Sequence, residues 1–269
     1  MGSFLTSDGV RLNFIDEGSG PTVVLIAGYC APATSWALTQ DALVAAGYRV
    51  IAFDRRSHGD SESPLFGQRM SRHGKDVAEL LDAADLHDVR LVGGSMGANV
   101  IWAYVDLFGT DRVSGIVTVD QTPKMLNAPD WPYGFYGYTE DNAGTMFRDG
   151  VPDTGRGRRI DESMPAVMRL AARLGGMPAM REPTAPELIH LLADHAVQDW
   201  RDVVDRTDVP FLMIAGRQSQ IWPCEHAAAA VGRNALGRFA IIEDAGHAVN
   251  FDQPDRVNEQ LLGFFAELV

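Results

Sequence analysis

Apolar and polar positions follow two different periods along this chain. Residues 4–6 and 10–15 alternate on either side of the turn signal Ser7-Asp8-Gly9, which predicts an opening antiparallel hairpin. The next apolar run, residues 22–27, is continuous and rich in β-branched side chains, as expected of a strand covered on both faces. Helical spacing follows over residues 35–46, and a second buried strand is predicted over 48–53. The order then repeats with a helix at 69–85, a strand at 89–92, a helix at 96–108 and a strand at 115–119. Such alternation predicts an α/β protein built on a mostly parallel, doubly wound sheet.

The rhythm stops after Asp120 and resumes only with the apolar run at residues 209–215. That gap is too long for a plain connection, so residues 121–205 are expected to form an inserted helical cap on a core made of residues 1–120 and 206–269. Helical patterns occur within the insertion at residues 164–174 and 186–197. Its aromatics Trp131, Tyr133, Phe135 and Tyr136 would either line an apolar substrate pocket or make the small core of the cap itself. Arg156, Arg158 and Arg159 read as a solvated loop. A last strand at 239–242, the pair Gly246-His247 and a helix at 254–268 complete the pattern.

Composition narrows the function. The net charge of −13 repels phosphate backbones and anionic lipid surfaces, so neither nucleic acid nor membrane is an expected partner. No apolar run approaches the roughly 18 residues that cross a bilayer. Two cysteines, Cys30 and Cys224, cannot form a disulfide framework, and residues 1–4 lack the charged and apolar regions of a secretory signal, which favours a cytoplasmic protein. Cys30 reads as a buried, inert thiol. No Walker lysine or dinucleotide-binding glycine pattern occurs, and Asp54, His58 and Asp60 match no structural zinc or calcium spacing, so no cofactor and no metal are expected.

The strongest chemical signal is Gly93-Gly94-Ser95-Met96-Gly97, a G-x-S-x-G pattern lying between a predicted buried strand and a predicted helix. Glycines there permit a sharp turn that lifts the Ser95 hydroxyl clear of the sheet. A serine hydroxyl needs a base to take its proton as it attacks. His247, in the loop after the last strand, would sit above the same sheet edge as Ser95. His58, His87, His190 and His195 are weaker candidates by position, as is His226, expected on a surface helix.

With this elbow, the loop Phe53-Asp54-Arg55-Arg56-Ser57-His58-Gly59-Asp60-Ser61, the late Gly246-His247 and the long insertion, the chain resembles the α/β-hydrolase superfamily over essentially its whole length. It departs from the usual form where Ser57 replaces a frequent glycine and where Ala27-Gly28 replaces His-Gly. Many relatives carry an acid that orients the histidine after the strand that follows the cap. Here that segment, residues 215–223, holds no acid, and Ser219 stands at the usual place. Asp120 ends the preceding strand, from which some family members supply the acid, so the resemblance points to Asp120; Asp244 is cramped, and a structural role for Asp120 stays open. The resemblance also puts oxyanion-binding backbone N–H groups at Tyr29 and Met96.

The function so implied is hydrolysis of a small-molecule carboxylic ester or lactone through an acyl-enzyme. Cofactor-free haloperoxidases, which are perhydrolases, share the same three groups. Cofactor-independent dioxygenases of the superfamily are disfavoured because Ala31 stands where their additional histidine is expected, and aspartate-nucleophile relatives because serine occupies the elbow. A ligand receptor on this scaffold is the non-enzymatic alternative.

Overall fold

The computed structural model of the protein describes residues 1–232 and 234–268. The hairpin β1 (Gly2–Leu5) and β2 (Arg11–Glu17) is antiparallel, and β2 pairs antiparallel with β4 (Arg49–Phe53). From β4 onward every pairing is parallel, through β3 (Thr22–Ile26), β5 (Val89–Gly94), β6 (Val113–Val119), β7 (Phe211–Gly216) and β8 (Gly237–Ile242). Among the described residues these eight strands form one sheet in the order β1-β2-β4-β3-β5-β6-β7-β8. The doubly wound sheet is therefore the one the alternation predicts, with each strand within two residues of its expected start.

Helices cover both faces. Successive strand residues point to opposite sides, so Val24, Ile26, Ile51, Phe53 and Leu91 join one core with α2 (Met70–Ala83) and α3 (Met96–Phe108). Val23, Leu25, Val50, Ala52 and Val92 join a second core with α1 (Ala37–Ala45) and the terminal helix α9 (Pro254–Phe265). Each valine, leucine, isoleucine or phenylalanine among these, enclosed completely, contributes about 1.5–3 kcal/mol. Burial on both faces is why these strands read as continuous apolar runs.

Between β6 and β7 the chain forms α4 (Ile160–Leu174), α5 (Pro186–Ala196) and α6 (Arg201–Arg206). The first two match the helical patterns of the insertion. α6 carries too short a pattern to be read from sequence, and it packs against α3 and against α7 (His226–Val231). Lys124 pairs with Asp199 at 3.1 Å, tying the chain just after β6 to the chain just before α6. A four-residue helix α8 (Val249–Asp252) comes just after His247. No helix among the described residues is long and apolar enough to cross a membrane.

Candidate active site

Chain reversal in the sheet places β3 between β4 and β5, and the crevice beyond the carboxyl ends of β3 and β5 is where open α/β sheets bind ligands. Ser95 follows β5, Tyr29 follows β3, Asp120 follows β6, and His247 sits in the loop after β8. The four residues thus reach one place from widely separated parts of the sequence.

Ser95 has φ 50° and ψ −131°, a backbone conformation that costs a non-glycine residue on the order of 1–3 kcal/mol. Its neighbours enforce it. The backbone N–H of Ser95 donates to Val119 O at 2.8 Å, and Gly97 lets α3 approach β3 closely: a Cβ there would lie 2.3 Å from Ile26 O. A side chain at Gly28 would lie 2.9 Å from Ser95 Cβ, so the loop after β3 also closes on the hydroxyl only because residue 28 has none.

Ser95 Oγ lies 2.9 Å from His247 Nε2, and His247 Nδ1 lies 2.7 Å from Asp120 Oδ2. The carboxylate decides the tautomer. Burial alone would push the Asp120 carboxyl up, but the imidazoles of His226 and His247 more than offset this and hold it at about 2. Ionised, it can only accept, so Nδ1 of His247 carries the proton and Nε2 is left as the acceptor for the Ser95 hydroxyl. Asp120 is itself fully enclosed. Its Oδ1 accepts the Gly216 N–H at 2.9 Å, and its Oδ2 also accepts the Ser219 hydroxyl at 2.7 Å. His226 Nε2 stands 3.9 Å from Oδ1, beyond hydrogen-bond length. His247 is fixed further by its N–H donating to Gln220 Oε1 at 2.6 Å and by the edge of Trp222, at 5.3 Å between ring centroids.

The backbone N–H groups of Tyr29 and Met96 donate to no protein acceptor among the described residues, and both residues line the same cavity as Ser95. Met96 opens α3, whose first N–H groups are free and carry the positive end of the helix dipole. Behind Tyr29 lies Arg55, fully buried and without an ion-pair partner among the described residues. It donates to Ala27 O at 3.1 Å and to Gly28 O at 2.7 Å. It also contacts Met96 Sδ at 3.8 Å, His58 Nε2 at 2.8 Å and His73 Nδ1 at 3.0 Å; burial and the Arg55 charge pull both imidazoles well below the usual range, so both accept.

Two cavities meet at Ser95 and His247. One, of about 240 Å³, is walled by Met96, Met125, Phe135, Leu192, Ile221 and Trp222. The other, of about 160 Å³, lies toward Trp36, Val119, Met180 and Phe251. Of the four aromatics singled out in the insertion, Phe135 alone lines either cavity. This corrects the pocket reading for the other three: Trp131 faces a separate open groove with Asp130 and Arg201, Tyr133 packs on the Trp131 ring at 5.3 Å, and Tyr136 lies under Arg156 at 4.6 Å. Their near-consecutive spacing fans them to different sides of an irregular loop.

Several other readings resolve in the structure. Asp244 is exposed and touches His247 through neither oxygen, its carbonyl instead accepting Gln253 Nε2. Cys30 is buried, and burial pushes its thiol up to about 12, far from a reactive thiolate. Asp54 accepts the N–H groups of Ala33 and Asp60. Gln220 and Arg55 are not legible as site residues in the sequence, because an amide and a loop arginine carry no spacing signal, and Ser219 stands out there only as the place of a missing acid. His226, expected on a surface helix, is enclosed beside Asp120.

A family model described as alpha/beta hydrolase fold matches residues 21–254. The non-heme chloroperoxidase of Streptomyces lividans is 29% identical over 284 residues, covering 98% of this chain and 99% of that protein. Among solved structures, the bromoperoxidase from Bacillus anthracis aligns over 99% of this chain and 100% of its own, with a TM-score of 0.80 and 25% identity. An esterase from Exiguobacterium antarcticum aligns over 99% and 100%, with a TM-score of 0.81 and 22% identity.

Proposed function

The chain belongs to the α/β-hydrolase family, and from that membership we propose that it is a serine hydrolase of carboxylic esters or lactones, working through an acyl-enzyme. The observation that carries the reading is the unbroken path from Ser95 Oγ to His247 Nε2 at 2.9 Å and from His247 Nδ1 to Asp120 Oδ2 at 2.7 Å. In this scheme Ser95 Oγ attacks the ester carbon while its proton passes to His247 Nε2, and the imidazolium so formed is stabilised by the Asp120 carboxylate. The carbonyl oxygen, now negative, is met by the N–H groups of Tyr29 and Met96. Collapse of the tetrahedral adduct expels the alcohol, which takes the proton from His247. Water then repeats the sequence on the acyl-enzyme with His247 as base and releases the acid. Residues 121–205 act as the cap, supplying Met125, Phe135 and Leu192 to the wall over the serine.

A second reading keeps the same acyl-enzyme but lets hydrogen peroxide replace water as the acceptor, giving a peracid. Similarity over nearly the whole chain to a non-heme chloroperoxidase favours keeping it in view. One experiment tests both. Turnover of p-nitrophenyl acetate and covalent labelling by a fluorophosphonate, with Ser95→Ala as blank, support the hydrolase; tight ligand binding without turnover or labelling would point to a receptor. Peracid formation from acetate and peroxide exceeding ester hydrolysis would move the assignment to a perhydrolase.

A further inference from the structure

The 240 Å³ cavity has an apolar wall that contains polar groups without partners. His195, on α5, is only 3% exposed, lines this cavity and forms no side-chain hydrogen bond among the described residues, its Nδ1 being enclosed and unpaired. In the same wall Gln121 Oε1 and Trp222 Nε1 are also enclosed and unpaired. Roughly nine-tenths of buried polar groups find a partner, but these three atoms are shut off from the cavity itself; the other His195 nitrogen, Nε2, is not enclosed and also has no partner among the described residues. None belongs to the proton path described above.

Charge and size restrict what could pair with the His195 Nε2. Among the described residues no aspartate, glutamate, lysine or arginine lines this cavity, so an ionised group on the ligand would be desolvated without a counter-charge. Burial, with Arg55 adding to it, pulls the His195 imidazole down to about 3, leaving it uncharged with one donor and one acceptor nitrogen. A cavity of about 150 Å³ holds a benzene ring, so this one accepts an uncharged arm somewhat larger than a ring.

We propose that His195 is a specificity-determining residue that hydrogen-bonds a hydroxyl or oxo group on the buried arm of the substrate, making the preferred substrates uncharged hydroxy- or oxo-substituted esters rather than purely hydrocarbon ones. The inference rests on the ester-hydrolase reading. A site arranged to hydrogen-bond a substrate hydroxyl discriminates strongly against the analogue that lacks it, because its own polar groups are then stranded.

The test uses ester pairs in which a methyl replaces a hydroxyl at constant shape. Phenyl 3-hydroxy-3-methylbutanoate against phenyl 3,3-dimethylbutanoate probes the acyl arm, and 3-hydroxyphenyl acetate against 3-methylphenyl acetate probes the leaving arm. Each kcat/KM ratio is compared between wild type and His195→Phe, which cancels intrinsic reactivity. On one arm the wild-type protein is expected to favour the hydroxylated member by at least about tenfold relative to His195→Phe, with His195→Gln, which keeps a donor and an acceptor, recovering much of that preference. His195→Leu serves in place of His195→Phe if the larger ring prevents folding. Ratios that differ by less than about twofold between wild type and the apolar variant on both arms overturn the proposal. Fluorophosphonate labelling of the wild type separates the two readings: labelling and turnover without discrimination sink the His195 inference alone, whereas their absence sinks the hydrolase reading and this inference with it.

Discussion

Replacing Asp120 by asparagine removes one charge but changes almost no volume, so the effect depends on the hydrogen bonds around that side chain. Oδ1 receives the Gly216 N–H, and Oδ2 receives both the Ser219 hydroxyl and His247 Nδ1. All can be donors to a carboxylate, but an asparagine offers only one oxygen. If its NH₂ faces His247, Nδ1 must become the acceptor, the proton moves to Nε2, and the nitrogen beside Ser95 can no longer accept. If its NH₂ faces Gly216, two buried donors oppose each other, at a cost of about 1–3 kcal/mol. Either orientation costs the enzyme, and the loss of imidazolium stabilisation adds to it. We expect kcat for p-nitrophenyl acetate to fall by about 10³–10⁴-fold, or about 4–5.5 kcal/mol of barrier, with the circular-dichroism spectrum and cooperative melting retained. Ser219 makes a rescue possible, since its Oγ lies 2.7 Å from the oxygen that His247 uses. In the Asp120→Asn background, Ser219→Asp brings a carboxylate back to that spot from the loop after β7 and is expected to recover at least tenfold. In the wild-type background the same change crowds two carboxylates together and is expected to destabilise the protein. Asp120→Asn retaining more than about a tenth of the activity, or Asp244→Asn matching its loss, would refute the assignment of the acid.

Three further outcomes are expected. Ser95→Ala and His247→Ala should each remove nearly all turnover, and the double variant should be little worse than either, since groups that share one proton transfer are grossly non-additive; strictly multiplying losses would argue against the relay. Gly28→Ala puts a Cβ 2.9 Å from Ser95 Cβ and 3.2 Å from Gly94 O, so fluorophosphonate labelling should slow by more than tenfold while the chain still folds, and unchanged labelling would show that the loop after β3 is not closed on the serine in solution. At low pH the Asp120 carboxyl, held at about 2 against an ordinary 3.8, stabilises the fold by about 2 kcal/mol above its unfolded pKa and loses this as pH falls toward its folded one. The urea-stability gap between wild type and Asp120→Asn should therefore narrow by about 1 kcal/mol from pH 6 to pH 3, and a constant gap would contradict the depressed value.

The sheet is readable from sequence because strands buried on both faces must be continuously apolar, and the elbow because Gly93, Gly94 and Gly97 bracket a serine at a strand end. The helices that sequence does not reveal, α6 and α8, span six and four residues, too few to complete two turns of pattern. The cavity wall is legible only in part. Phe135 can be named as an aromatic in the insertion, but nothing in its spacing separates it from Tyr133 or Tyr136, because an irregular loop has no period to project side chains in known directions. His195 sits three residues after Leu192 on α5, one turn along the same helix face, so both line the cavity. In sequence that spacing looks like any amphipathic stripe.

Arg55 and Arg56 show the same limit more sharply, since adjacent, identical residues take opposite roles. Arg56 is anchored by two carboxylates, Asp76 at 2.6 Å and Asp8 at 3.1 Å, and so ties the start of the sheet to α2. Arg55 has no such partner among the described residues and gives its protons to backbone carbonyls, the Met96 sulfur and two uncharged imidazoles. One of those carbonyls is Gly28 O, at 2.7 Å, and it belongs to the same peptide unit as the Tyr29 N–H. A cation bonded to the oxygen of an amide withdraws electrons from its nitrogen and makes the N–H a stronger donor, and low local dielectric enlarges the effect. The enclosed charge behind the loop thus faces, through one peptide, the position where the proposed reaction builds negative charge. His58 and His73 make this arrangement tolerable, because they accept from the guanidinium without neutralising it as a carboxylate would.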